Sequence, residues 1–364
     1  MRRLSDTIDR LVAARARLAT SAEVTEDRLT DLAAFGHDPG NLRARLYVPA
    51  TLAERPALVV VLHGCTQTAA GYDAGSGWSR LADERGFVLL FPEQRRANNP
   101  NLCFNWFAPD DFGRDRGEAA SIRAMIAATM RAHDVDPARV FVTGLSAGGA
   151  MAAVMLAAYP ELFAGGAIIG GLPYGTASGV VQALDRMRGH DLPDAAALAR
   201  IARGASQHAG RWPTLSLWHG GADATVHPDN AEALLAQWLG LHGIDPAPAE
   251  RDTVGDHAHR VWRDAAGRAV IEDHRIRGMG HGTPIAASGP EACGASGAYM
   301  LDVGLSSTRR IAAFWGLAPG IAATEGQARA VPAPPPPNAA GAGAGAGGIG
   351  GVIDDALRAA GLLR

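Results

Sequence analysis

"VFVTGLSAGGAMAA", residues 140–153, is the stretch whose reading decides the fold. A β-type run, VFVT, leads into G-x-S-x-G, with Ser146 between Gly144 and Gly148, and an alanine-rich run of helical character follows. A serine between strand and helix sits at the tip of a sharp turn, where its hydroxyl is offered as a nucleophile. The flanking glycines let backbone and helix approach where a Cβ would clash. The helix N-terminus adds positive potential where an oxyanion would develop. Five residues with three fixed also occur by chance, so a plain serine in a glycine-rich turn is the alternative. The strand before and the helix after are what favour the nucleophile.

Working outward, apolar runs of strand length alternate with helical stretches. Strands are expected at 42–48, 58–62, 88–91, 140–143, 167–169, 215–218 and 270–276, and helices at 78–85, 118–133, 147–158, 230–239 and 308–315. Runs such as LVVVL and VLLF are apolar on both faces, as strands buried between helix layers must be. The alternation implies an α/β fold with a mainly parallel central sheet and right-handed crossovers. Residues 174–212 exceed a plain crossover and read as a helical insertion, a potential cap, placed before the aspartate loop described next.

A serine hydroxyl needs a base, and the base needs a carboxylate to hold it. In an α/β-hydrolase the order along the chain is Ser, Asp or Glu, then His. Two loops after Ser146 fit. In LSLWHGGADATVHP the strand ends at HGGAD and places Asp223 in the loop; in VIEDHRIRGMGHGTP the strand ends at GMGHG and places His281 between glycines. Asp229 and Asp252 are the competing carboxylates. Of the other histidines, His219 and His227 share the aspartate loop, His274 lies inside a strand, and His257 and His259 fall in a polar stretch read as a loop. The oxyanion hole requires the N–H after the nucleophile, that of Ala147, and one from the loop after an early strand. VVVLHGCTQTA supplies that loop, with the Cys65 N–H as donor and His63 as a loop-shaping residue. Trp106, its neighbour Asn105 and Trp78 are candidates for lining the substrate groove, with ordinary core packing as the alternative for the tryptophans. The triad supplies nucleophile, base and oxyanion stabilisation, so no metal or organic cofactor is implied.

The chain has 364 residues, 47% hydrophobic and 20% charged, with a net charge of −3, which excludes the basic excess of a nucleic-acid binder. No run approaches the ~18 consecutive apolar residues of a membrane span. The opening MRRLSDTIDRLVAARARLAT lacks the uninterrupted apolar core of a signal peptide, which favours the cytoplasm. Leu4, Ile8, Leu11, Val12 and Leu18 share one helical face there, expected to pack on the domain. The chain divides into an N-terminal helical segment (1–36), a catalytic domain (37–318) that contains the insertion, a Pro/Gly/Ala-rich linker (319–351) and a short C-terminal helix (352–364). Three cysteines are too few for a disulfide scaffold and show no zinc spacing.

The blocks LHGCTQTAAGYDAGSGWSRLADERGFVLLFPEQ, NLCFNWF, GLSAGGAMAAVMLAAYPELFAGGAIIGGLPYG, WHGGADATV, GMGHGTP and CGASGAYMLDVGLSSTRRIAAFWGL together resemble the poly(3-hydroxybutyrate) depolymerase family of esterases over residues 41–317. The resemblance implies the α/β-hydrolase fold and a Ser146–Asp223–His281 triad. It also implies a carboxylesterase acting on short-chain polyhydroxyalkanoate polyesters or oligomers, with a feruloyl or acetyl-xylan type esterase as the alternative. A non-catalytic binding protein of the same fold is the alternative from another class. Two positions depart from the family's pattern: Phe104 stands where tryptophan is common, and Gly221 where threonine is frequent. The resemblance also leads to an expected disulfide between Cys65 and Cys103, with Cys293 unpaired, and an extracellular address. The absence of an export signal argues the reverse on both counts. Partners are expected to be the polyester, oligomer or small ester substrate, with no nucleic acid and no transmembrane segment; the oligomeric state is left open.

Overall fold

A computed structural model describes residues 27–247 and 250–320. Of the N-terminal segment read as helical (1–36), residues 1–26 lie outside the described residues, as do the C-terminal helix (352–364) and the linker beyond residue 320; residues 27–36 are not helical and hold the short edge strand Thr30–Asp31 instead. The elements run β1 (Thr30–Asp31), β2 (Arg43–Tyr47), β3 (Leu58–Leu62), α1 (Ala69–Ser76), α2 (Trp78–Arg85), β4 (Val88–Glu93), α3 (Pro109–Phe112), α4 (Gly117–Ala132), β5 (Val140–Leu145) and α5 (Ala147–Ala158). They continue with β6 (Gly165–Ile169), α6 (Val180–Met187), α7 (Ala195–Arg203), β7 (Thr214–Gly220), α8 (Asp229–His242), β8 (Glu250–Val254), β9 (His257–Arg263), β10 (Ala269–Ile276), β11 (Thr283–Ile285), β12 (Met300–Asp302) and α9 (Ser307–Phe314).

The main sheet has ten strands in the order β1-β2-β4-β3-β5-β6-β7-β10-β9-β8. Strands β4, β3, β5, β6, β7 and β10 run parallel, and antiparallel strands extend both edges. Side chains of a strand alternate between faces, and β3 shows what that does here. Leu58, Val60 and Leu62 enter one core with Met125 of α4, all of α5's larger side chains, and Trp238 of α8. Val59 and Val61 enter the other with Trp78 and Leu81 of α2 and Ile311 of α9. Every residue of β3 is buried, as a strand covered on both sides requires.

Helix α5 is buried along its whole length. It can lie that close to the sheet because its first turn is small: a Cβ on Gly148 would come within 2.3 Å of the Leu62 carbonyl oxygen. The helices between β6 and β7, α6 and α7, occupy the region read as an insertion, and α7 is capped by its sequence: Asp194 Oδ1 accepts from the Ala197 N–H at its start.

One further sequence reading needs correction. The polar stretch holding His257 and His259 is not a loop but strand β9, paired to β10 on one side and to β8 on the other. All five residues of β8 are exposed, so no apolar alternation marks it; charged side chains are what an edge strand carries. Helix α1 and the small parallel pair β11–β12 also went unread, the pair because three-residue strands leave too short a pattern.

Candidate active site

Strand β5 ends at Leu145, and Ser146 makes the turn into α5 with φ 58° and ψ −119°. A non-glycine residue at such φ is held there by its surroundings. The Ser146 N–H donates to the Ile169 carbonyl at the end of β6 (2.9 Å), and its own carbonyl accepts from the Ala150 N–H (2.8 Å). Both backbone groups are thus used in fixing the turn, and the side chain faces a pocket. Ala147, as the first residue of α5, has no carbonyl within the helix to accept from its N–H, since the residue four back lies in β5.

The same logic fixes Asp223. After β7 the Gly221 N–H donates to the Ile276 carbonyl (2.8 Å) and the Ala222 N–H to that of Met279 (2.9 Å), which ties the aspartate loop to the loop after β10. Asp223 Oδ1 accepts from the N–H groups of Thr225 (2.9 Å) and Val226 (2.8 Å). Its Oδ2 lies 2.7 Å from Nδ1 of His281. Burial pushes the carboxyl upward, but the hydrogen bond from His281, the proximity of His281 and His219, and the Val226 N–H outweigh it, so Asp223 is held below its ordinary value. An ionised Asp223 can only accept, so Nδ1 of His281 carries the proton and Nε2 presents a lone pair. That Nε2 is buried and has no hydrogen-bond partner among the described residues. Gly170 sits against the ring: at φ 53° it already favours glycine, and a Cβ would stand 3.3 Å from Nδ1 and Cε1.

His219 is a neighbour of this pair rather than part of it. Its Nε2 donates to the Val226 carbonyl (2.8 Å), while Oδ2 of Asp223 is at 3.4 Å. Burial lowers its pKa and keeps it neutral.

Ser146 and His281 share one pocket with Gly64, Cys65, Gln67, Leu145, Met187, Thr225 and Tyr299. The loop after β3 enters this pocket braced from several sides. Gln67 Oε1 accepts from the Gly64 N–H (2.8 Å), and the Asn101 carbonyl accepts from the Thr66 N–H (2.7 Å). His63 is fully buried; its Nε2 accepts from the Gln94 N–H (3.1 Å), so Nδ1 carries the proton and donates to the Gly64 carbonyl (2.8 Å). Burial lowers its pKa, which keeps that tautomer neutral. Cys65 is joined to Cys103 by a disulfide, and Cys293 is free and buried, its thiol pushed up to about 11 by burial.

The groove candidates stand elsewhere. Trp78 is buried in the opposite core, stacked on Trp315 at 6.0 Å, because α2 packs on the sheet face away from α5. Trp106 is buried edge-on against Phe107. Asn105 is turned inward, its N–H and Nδ2 both donating to Glu118, which makes it a brace for the Cys103 segment. Phe104 is buried against the His63 ring at 5.0 Å. The pocket residues missed by sequence reasoning are Gln67, Met187, Thr225 and Tyr299. Gln67, Thr225 and Tyr299 lie inside the family-like blocks but carry no reactive chemistry that would mark them, and Met187 reaches the pocket only because α6 folds back over it.

A largely parallel ten-stranded sheet, a serine on the strand-to-helix turn after β5, and an Asp–His pair from the loops after β7 and β10 define an α/β-hydrolase. The chain belongs to the esterase PHB depolymerase family, whose pattern matches residues 42–258, and it is a hydrolase of carboxylic ester bonds. It is 45% identical to poly(3-hydroxyalkanoate) depolymerase C of Paucimonas lemoignei over 79% of this chain and 70% of that protein. It is 31% identical to acetylxylan esterase A of Emericella nidulans over 72% of this chain and 87% of that one. The solved acetyl xylan esterase from Aspergillus awamori superposes with a TM-score of 0.65 at 28% identity, covering 70% of this chain and 93% of that one. Among the described residues, no helix is long and apolar enough to cross a membrane.

Proposed function

We propose that the protein hydrolyses short-chain polyhydroxyalkanoate esters, as polymer or oligomer, through an acyl-enzyme on Ser146. The observation that carries the reading is the unpartnered, buried Nε2 of His281, held by Asp223 and opening into the pocket that Ser146 lines. Ser146 Oγ attacks the ester carbonyl carbon while its proton passes to His281 Nε2. The negative charge on the carbonyl oxygen is met by the N–H groups of Cys65 and Ala147. When the intermediate collapses, the ester C–O bond breaks and the leaving alkoxide takes the proton from the imidazolium. Water then repeats the sequence on the acyl-enzyme, releasing the carboxylic acid and restoring Ser146. Asp223 keeps the imidazole in the required tautomer throughout.

The substrate class rests on the 45% identical depolymerase. A second reading, deacetylation of xylan, is supported by the acetylxylan esterase relatives and the superposed structure. The Cys65–Cys103 disulfide favours an oxidising, extracytoplasmic setting. A panel of hydroxybutyrate oligomers, amorphous polymer, methyl ferulate and acetylated xylan separates these readings. The expected result is kcat/KM highest for the hydroxybutyrate esters; a higher value on acetylated xylan overturns the substrate assignment. Labelling of Ser146 by a fluorophosphonate is expected as well, and its absence in folded protein overturns the catalytic reading in favour of a binding protein.

A further inference from the structure

The sheet face that carries α9 holds a polar cluster outside the pocket that Ser146 and His281 line. Strands β7, β10 and β9 are adjacent, and their registers set His274 beside Trp218 on one side and His259 on the other, with Glu272 beside Ser216. His257, two residues before His259, shares its face. The cluster therefore comprises three imidazoles and a carboxylate at the point where helix cover gives way to the antiparallel edge.

Glu272 lies between two of these rings. Its Oε2 is 3.3 Å from His259 Nε2, and its Oε1 is 3.2 Å from His274 Nε2. His274 is 2% exposed, and its Nε2, although close to Glu272, makes no aligned hydrogen bond among the described residues. One donor atom each from His259, Glu272 and His274 lie within 4.8 Å of one another. A tetrahedral zinc ion with bonds of about 2.0–2.2 Å needs its ligand atoms about 3.3 Å apart, and each carboxylate oxygen already stands at that spacing from one ring, Oε2 from His259 and Oε1 from His274. The two imidazoles are stacked with centroids 4.3 Å apart, so the part-exposed His259 ring must turn out of the stack to aim its Nε2 lone pair at the same point.

The surroundings are those that orient ligands. His257 Nε2 is 2.8 Å from His274 Nδ1, so a proton on Nδ1 donated to His257 leaves His274 Nε2 free to ligate. Ser216 donates to Glu272 Oε1 (2.6 Å) and itself accepts from the Trp218 indole N–H (2.8 Å). The Trp218 ring stacks on His274 at 3.7 Å and fixes the imidazole plane. Partners of this type set tautomer and ring angle in metal sites. Arg310, whose charge is felt at His257, is paired with Glu291 at 2.6 Å.

We propose that His259, Glu272 and His274 bind a divalent first-row cation, zinc foremost, with a further coordination position open on the His259 side. Two imidazoles and one carboxylate suit zinc, cobalt and nickel better than the oxygen-seeking calcium or magnesium. Such an ion would cross-link β9 to β10 near the edge of the sheet.

The test uses the full chain, freed of metal by a chelator. Calorimetric titration with Zn²⁺ is expected to give one ion per chain. Co²⁺ is expected to give ligand-field absorption bands, and saturating Zn²⁺ to raise Tm, since an ion that binds only the folded state stabilises it. His259→Ala, a change at a part-exposed side chain, should weaken binding by at least about tenfold and abolish both the bands and the rise in Tm. Glu272→Gln should do the same. His227→Ala, at an exposed histidine beside Asp229, should bind as the unaltered chain does. Absence of Zn²⁺ and Co²⁺ binding overturns the proposal. So does binding undiminished in both His259→Ala and Glu272→Gln, which would place the ion elsewhere, for instance at His281 and Asp223.

Discussion

At the scale of single residues, the site depends on atoms left without a partner. Ser146 has its backbone fully engaged and its φ positive, so the fold holds it in a strained turn for the sake of where Oγ points. Replacing Ser146 by alanine should lower kcat on short p-nitrophenyl esters by on the order of 10⁶ while the circular dichroism spectrum is unchanged; near-native turnover in folded protein would remove Ser146 from the role. Asp223→Asn should lower kcat by about 10⁴, because an amide cannot hold the Nδ1–H tautomer of His281. Asp223 has a lowered pKa in the folded state, so the stability it contributes is present above the ordinary value of 3.8 and is lost as pH falls through the lower folded value. The stability gap between the unaltered chain and Asp223→Asn, measured by denaturant titration, should therefore narrow below about pH 3.8. A gap that stays constant on acidification would mean that the carboxylate's charge is not what stabilises the pair.

Among the elements, the loop after β3 has the most support. The Cys65–Cys103 disulfide joins it to a segment braced by Glu118, which accepts from Gln94 Nε2 (2.5 Å) as well as from Asn105. Cys103→Ser should cost about 4 kcal/mol, the loss expected for opening a loop closed across a sequence separation of 38. It should also lower kcat on small esters by about tenfold to a hundredfold if, as proposed above, the Cys65 N–H meets the oxyanion, since a group displaced by an ångström loses much of its effect. Unchanged kcat in the variant would speak against the proposed part of the Cys65 N–H in the reaction. Glu118 behaves oppositely to Asp223. Burial, aided by the nearby Asp111, drives its pKa up to about 8 against the donors around it. The unfolded chain then loses this proton first as pH rises, so stability should fall between about pH 4.5 and about 8. In Glu118→Gln that fall should be shallower; an identical slope would place the titration on another group.

Over the whole molecule, two cores on opposite faces share one sheet, and the strand that carries Ser146 is held from both. Phe141 of β5 stacks on Trp315 at 4.7 Å, and Trp315 stacks in turn on Trp78. The segment after α9 thereby closes the face opposite α5. Trp315→Ala should cost about 3–5 kcal/mol by urea denaturation and leave kcat at low temperature nearly unchanged, because the ring is far from the pocket residues. A loss below 1 kcal/mol would show that this end of the chain closes nothing.

What the sequence determined by itself was everything written in local pattern. Doubly apolar runs marked the central strands, because burial on both faces leaves no polar position. Glycines marked Ser146 and His281, and a Cβ on Gly144, Gly148 or Gly282 would clash with the neighbouring backbone. Strand ends marked Asp223, because the chain leaves a parallel sheet at the edge where the loops meet. Tertiary structure alone decided the rest. Strand β8 and its partner β9 carry few apolar side chains, and their pairing is a backbone matter that no side-chain period reports. Trp78 and Trp106 have the composition of groove walls, and only packing assigns them to the interior. Met187 reaches the pocket from α6, at a distance along the chain that carries no signal. The cluster of His259, Glu272 and His274 exists only through the β9–β10 register, since a slip of one residue would send its members to opposite faces.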